Sequence, residues 1–258
     1  MTTALAHSWF MTVRHLRALA RQPWYVAFTL VQPMLYLLLF GELFKRVTDL
    51  PGFAGGSYIS YLTPGIVVVS ALFSAGWSGA GVIDDIDRGV LDRFLTAPTS
   101  RIALVLGRLT QLALVTIVQS AIIILVGLVL GARFTAGPVG LAVLVVCAVL
   151  LAASFGALSC GMALLARKQE SVIAAVNFLL QPLAYTSTVF MAPTFLPEWM
   201  QVVARVNPVN WAAEAGREAL QTSVSWDLVL WRSVCLLLFF VACSWLAARA
   251  FRAYQRSA

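Results

Sequence analysis

Acidic side chains that could do chemistry cluster at two places in this sequence. Asp84, Asp85 and Asp87 fall within four residues, and Glu214 and Glu218 sit one helical turn apart with Arg217 between them. Paired carboxylates can run general acid–base chemistry, and with histidine they can hold a metal. Both histidines, His7 and His15, precede the first long apolar run and lie far from either cluster. That removes an intramembrane Ser–His nucleophile and an HExxH metal site. Neither lysine, Lys45 or Lys168, follows a glycine loop or precedes Ser or Thr, so no P-loop is available to bind ATP. Cys147, Cys160, Cys235 and Cys243 stand in apolar runs without CxxC spacing and read as packing residues.

The elements that position these residues are membrane spans. Of 258 residues, 60% are hydrophobic and only 11% charged, against about 25% charged in a soluble domain. A soluble, a disordered and a fibrous chain are all excluded. Charge-poor stretches mark six spans, at 24–43, 61–82, 109–130, 139–165, 172–191 and 228–248. Each suits a helix, which needs about 20 apolar residues, rather than a barrel strand. The polar, amphipathic first residues do not read as a signal peptide. The net charge of +7 is unevenly placed. With both termini cytosolic, the inner segments carry twelve basic and five acidic residues, and the outer segments six of each. No carboxylate falls at mid-span, which excludes an aspartyl dyad. Glu42 and Arg232 lie only near span ends, so the buried charges of a self-powered carrier are missing. Energy for any transport must come from a partner.

Three segments are not spans. Residues 1–23 read as an interfacial helix: Leu5, Trp9, Val13, Leu16 and Ala20 form one stripe, opposed by His7, Arg14, Arg17 and Arg21. A plain basic flank also fits. Residues 84–101 form a charged loop in which Ile86, Val90, Leu91, Phe94 and Leu95 share one helical face until Pro98. Docking into a partner's groove and a solvated loop explain it equally well. Residues 192–227 read as two short helices dipping into the outer leaflet. One starts after Pro197 and the other at Asn207–Pro208, an N-cap followed by Pro at N1. Glu214, Arg217 and Glu218 then lie within pairing reach. Gly127 with Gly131, and Ala152 with Gly156, have the small-xxx-small spacing that lets helices pack closely.

Two stretches carry a resemblance. DIDRGVLDRFLTAPTSRIALVLGR at Asp85–Arg108 and NPVNWAAEAGREAL at Asn207–Leu220 are similar to signatures of the membrane permeases of type-2 ATP-binding-cassette exporters. With the six-span layout, the whole chain resembles that family, and most of all its daunorubicin-resistance-type drug permeases. The resemblance implies one all-α integral membrane domain over 1–258, with six transmembrane helices, the interfacial helix and an outer re-entrant helical pair before the last span. It implies a coupling helix that docks on an ATPase, carried by Asp85, Ile86, Asp87, Arg88, Val90, Leu91, Arg93, Phe94 and Leu95. It also implies a translocation path near Phe28, Gln32, Tyr36, Phe178, Gln181 and Tyr185, for which ordinary helix packing is the plainer reading. Asn207, Pro208, Trp211, Glu214 and Arg217 would belong to an outer gate.

The implied partners are two P-loop ATPase subunits, which hold the ATP and magnesium, a second permease copy or a related permease, and the lipid of a bacterial cytoplasmic membrane. No cofactor is expected in this chain, and no nucleic acid partner. The implied function is export of an amphipathic drug-like or lipidic substrate. A polysaccharide-exporter permease, a membrane-embedded lipid-modifying enzyme and an assembly subunit are the alternatives.

Overall fold

Apolar runs this long form helices because a bilayer offers no partner for a free backbone N–H or C=O. A computed structural model of the chain describes residues 23–49, 57–88, 101–166 and 168–257, and all regular structure among them is helical. The helices are α1 (Pro23–Leu43), α2 (Tyr58–Gly76), α3 (Ser78–Asp87), α4 (Arg101–Val129), α5 (Gly137–Ala166), α6 (Gln169–Tyr185), α7 (Glu198–Val206), α8 (Pro208–Glu218) and α9 (Trp226–Ser257). The interfacial-helix segment 1–22 and the residues Val90, Leu91, Arg93, Phe94 and Leu95 lie outside the described residues.

Four stretches among the described residues are long and apolar enough to cross a membrane: Tyr58–Asp87, Gly107–Val129, Gly137–Ala166 and Trp226–Arg252. Helix α1 is 21 residues long, and its described side chains, from Thr29 to Leu43, are also apolar. The span expected over 172–191 is a 17-residue helix that stops at Tyr185. The residues after it supply the reason. The Thr186 hydroxyl donates to the Pro182 carbonyl at 2.7 Å and the Ser187 hydroxyl to the Ala184 carbonyl at 2.6 Å, satisfying the last turn from outside it.

Helix α5 is the centre of the bundle, packed against α2, α3, α4, α8 and α9. Its small residues allow this. Gly156 faces Leu112 of α4, Gly161 faces the Ala247 backbone of α9, and Gly140 abuts the Ala219 carbonyl beyond α8. The core is continuous, with Leu62, Ile66 and Leu72 of α2 and Leu144 and Leu151 of α5 fully buried. The GxxxG spacing in α4 works differently from expectation. Gly127 packs against Thr63, but Gly131 lies past the helix end with φ +97°. The Ala132 amide donates to the Gly127 carbonyl and the Gly131 amide to the Leu128 carbonyl, a Schellman ending in which Gly131 adopts the left-handed conformation.

The expected span 61–82 is two helices. The chain turns at Trp77, flanked by Gly76, Ser78, Gly79 and Gly81, all weak helix formers. Ser159 of α5 bridges the break: its hydroxyl donates to the Gly76 carbonyl at 2.6 Å and accepts from the Gly79 amide at 3.0 Å.

Candidate functional site: two polar clusters and a cleft

The helices run back and forth, so the described loops divide between two ends. One end holds Arg88, Lys168 and the last turns of α9. The other holds the start of α2, the α4–α5 loop and residues 186–225.

At the first end the α2–α3 break brings Asp85 back toward α4. Arg108 Nη2 donates to Asp85 Oδ2 at 2.9 Å and to the Gly81 carbonyl at 2.9 Å, and Nη1 donates to the Ser78 carbonyl at 2.8 Å. Asp85, read from sequence as a docking residue, is thus tied into its own bundle. Ile86 is half-buried beside Leu164 and Phe251, while Asp87 and Arg88 are exposed. Only Asp87 and Arg88 of the described set therefore present charge outward together with Asp84. Charge composition gave no sign of Arg108's role. The one available signal was a lone arginine opening an apolar run.

At the other end α7 and α8 meet at Asn207, as the Asn–Pro pair led us to expect. Its Oδ1 accepts from the Val209 amide at 2.9 Å and its Nδ2 donates to the Leu183 carbonyl at 2.7 Å, so the cap of α8 also clasps α6. Pro208 occupies the first turn, and the Trp211 indole N–H donates to the Arg205 carbonyl at 2.7 Å. Asn210, unnoticed in the sequence beyond its place in the motif, accepts from the Thr188 amide at 3.1 Å and from its hydroxyl at 2.5 Å. Its Nδ2 donates to Glu214 Oε1 at 2.9 Å.

Pairing within Glu214–Arg217–Glu218 does not occur. Glu214 Oε2 lies 2.7 Å from Arg232 Nη2 of α9, both half-buried. Arg217 instead donates to three neutral oxygens: the Tyr61 carbonyl at 3.1 Å, the Thr188 hydroxyl at 3.2 Å and the Val189 carbonyl at 2.7 Å. Its guanidinium also stacks over the Tyr61 ring at 3.7 Å. Burial pulls the Arg217 pKa below its ordinary value, opposed by Tyr61 and Glu214, and an arginine so placed remains charged. Glu218 accepts from the Ser225 amide at 3.0 Å. The correction has a simple cause. Sequence spacing puts these three side chains on neighbouring turns, but α2 and α9 come closer to them than they come to each other.

Between α1 and α2 lies a cleft of about 320 Å³, mostly apolar, lined in part by Gln32, Tyr36, Ser70, Phe73 and Trp77. Gln32 Nε2 donates to the Tyr36 hydroxyl at 3.0 Å. Phe190 joins α1 to the end of α6, with ring centres 5.7 Å from Tyr36 and 5.9 Å from Tyr185. On α6, Phe178 is 84% exposed and Tyr185 51%, while Gln181 is half-buried. Of the six path candidates, Gln32 and Tyr36 line the cleft and Tyr185 reaches its aromatic rim. Phe178 faces outward from the chain, and the Phe28 side chain lies outside the described residues. Behind the cleft, buried Gln119 of α4 links its two walls, donating to Thr29 Oγ1 at 3.1 Å and accepting from Ser74 Oγ at 2.8 Å. Nothing in the sequence singled out Gln119 among the polar residues of the spans.

Long apolar helices packed around a small-residue core, with the charged clusters among the described residues at the two ends, define a multi-pass membrane protein. The chain belongs to the ABC-2 type transporter family, whose pattern it matches over residues 7–220. It is 29% identical over 233 residues, 89% of this chain and 79% of the relative, to the daunorubicin resistance ABC transporter permease protein DrrB1 of Streptomyces coeruleorubidus. It is also similar to ycf38 proteins described as transport permeases. One from Pyropia yezoensis is 26% identical over 84% of this chain and 76% of the relative. Another, from Cyanophora paradoxa, is 29% identical over 81% and 71%. The family is one of transport permeases that work with ATP-binding subunits, so the role of the chain is translocation.

Proposed function

We propose that this chain is the translocating subunit of an exporter that moves an amphipathic, drug-like or lipidic substrate out of a bacterial cytoplasm. Membership of the ABC-2 type family over residues 7–220 carries the reading. Likeness to a daunorubicin resistance permease favours a drug-like cargo. In this reading α1 and α6 complete a set of six spans, both termini are cytosolic, and α7 with α8 form a re-entrant outer pair.

ATP and magnesium sit on two copies of a separate P-loop subunit. Residues 85–95 dock on it, with Leu91 and Phe94 as apolar anchors. Two permease copies, or this chain and a related one, pair through the exposed face shared by α1 and α6. In this pairing Phe28, Gln32, Tyr36, Phe178, Gln181 and Tyr185 line the translocation path between the two copies. Asn207, Pro208, Trp211, Glu214 and Arg217 form the outer closure. Closing of the ATPase dimer moves the coupling helices, and the spans shift as rigid bodies.

Affinity purification from the native membrane in mild detergent tests this. A stoichiometric P-loop ATPase should co-purify and be lost when Leu91 and Phe94 are both replaced by Asp. A clean single chain from several detergents would overturn the reading.

A further inference from the structure

A second cavity, of about 890 Å³, opens at the end of the bundle where α2 and α5 begin. The α4–α5 loop and the α8–α9 loop close around it. Ser60, Thr135 and Thr222 contribute hydroxyls, Arg133 and Arg217 contribute charge, and no described lining residue is a carboxylate. The frame is built rather than accidental. The Arg133 amide donates to the Ser60 hydroxyl at 2.9 Å, Thr222 donates to Thr135 at 3.0 Å, and Thr135 donates to the Leu220 carbonyl at 3.2 Å. These bonds tie three segments that are distant in sequence.

Neither arginine has a carboxylate within ion-pair distance among the described residues. Glu214 is committed to Arg232, which leaves Arg217 with neutral oxygens and a tyrosine ring. Arg133 is exposed with its guanidinium free of any ion pair among those residues. The nearest acid in sequence, Glu218, is occupied by the Ser225 amide and the Gln221 side chain. Glu214 acts on Arg217 through space, but it is in contact with Arg232, so the three side chains together carry one net positive charge and an anion in the cavity lowers the free energy of the site. Arginine's planar fork matches phosphate oxygens better than a single-point anion, and the Ser60 hydroxyl, which accepts from the Arg133 amide, keeps its proton to donate.

We propose that this cavity binds a net-anionic phosphate group, of the kind carried by an acidic phospholipid headgroup. Its place at the helix ends, beside exposed Trp226 and just above exposed Val129 of α4, suits the headgroup level. The site is separate from the α1–α2 cleft and does not rest on the transport role.

The purified protein in neutral detergent is titrated with short-chain phosphatidylglycerol, short-chain phosphatidylcholine and inorganic phosphate, with thermal unfolding and native mass spectrometry as readouts. Phosphatidylglycerol should raise Tm and bind, and phosphatidylcholine should not. Arg133→Gln should weaken that binding about tenfold, the size of one charge-assisted contact. Arg46→Gln, an exposed arginine at the same end but outside the cavity, should leave it unchanged. An equal response to inorganic phosphate assigns the site to a soluble anion, and a response to phosphatidylglycerol alone assigns it to lipid. Indifference to headgroup charge, no effect of Arg133→Gln, or an equal loss with Arg46→Gln would each overturn the proposal.

Discussion

Arg217 and Tyr61 are bound twice: the guanidinium lies 3.7 Å from the ring centre, and its Nε donates to the tyrosine's own carbonyl at 3.1 Å. The contact fastens α8 to α2. Through Thr188 and Val189 it also fixes the turn that follows α6. A motion that opens the outer end must break or carry this joint.

Arg217→Ala should therefore destabilise the protein by about 2 kcal/mol, since it removes a donor from two carbonyls and a hydroxyl that are part-buried. Arg217→Lys keeps the charge but loses the fork, and should recover less than half of the difference. Thermal unfolding in a fixed detergent measures both. Equal Tm for the lysine variant and the parent would show that charge alone matters here.

The Glu214–Arg232 pair should behave as a unit. Either single change to a neutral residue leaves its half-buried partner uncompensated, whereas removing both leaves no unpaired charge. A double-mutant cycle with Glu214→Gln and Arg232→Gln should give a coupling energy of about 1–2 kcal/mol. Additive losses would place the two side chains in water rather than against each other.

At the opposite end, Arg108→Ala should cost more than Asp85→Asn. The arginine serves the Ser78 and Gly81 carbonyls as well as the carboxylate, so its loss frees the α3 side of the turn and leaves only the Ser159 bridge. We expect about 2 kcal/mol for Arg108→Ala and under about 1 kcal/mol for Asp85→Asn. Limited proteolysis near residue 88 should rise only in the first variant.

Two glycines distinguish close approach from backbone conformation. A Cβ at Gly79 would collide with the Ser159 carbonyl and hydroxyl of α5, so Gly79→Ala should cost about 3 kcal/mol or prevent folding. Gly131 has open space around it but a positive φ, so Gly131→Ala should cost only about 1 kcal/mol. Yield and Tm of the two variants rank them.

Phe94→Ala and Leu91→Asp should lower export while leaving expression, membrane insertion and Tm unchanged, because the segment's apolar face is expected to serve a partner. Export of a fluorescent amphipathic substrate from cells, set against membrane abundance, measures this. Normal export in both would remove residues 85–95 from the coupling role.

The sequence by itself determined the class and much of the outline. Charge-free stretches require helices because lipid cannot satisfy an exposed backbone, and this located the apolar stretches Tyr58–Asp87, Gly107–Val129, Gly137–Ala166 and Trp226–Arg252, though not the division of the first into α2 and α3 or the full lengths of α4 and α9. Asn207–Pro208 announced the start of α8 because cap and proline act locally, through bonds to residues two positions away. Local rules failed where partners come from afar. The choice of Arg232 over Arg217 for Glu214, the return of Asp85 to Arg108, and the bridging of the Trp77 break by Ser159 all depend on which helix lies alongside. Only the tertiary structure decides that. A half-buried polar group takes the partner that packing brings within 3 Å, and spacing along one helix sets which groups could meet without ranking them against neighbours from another.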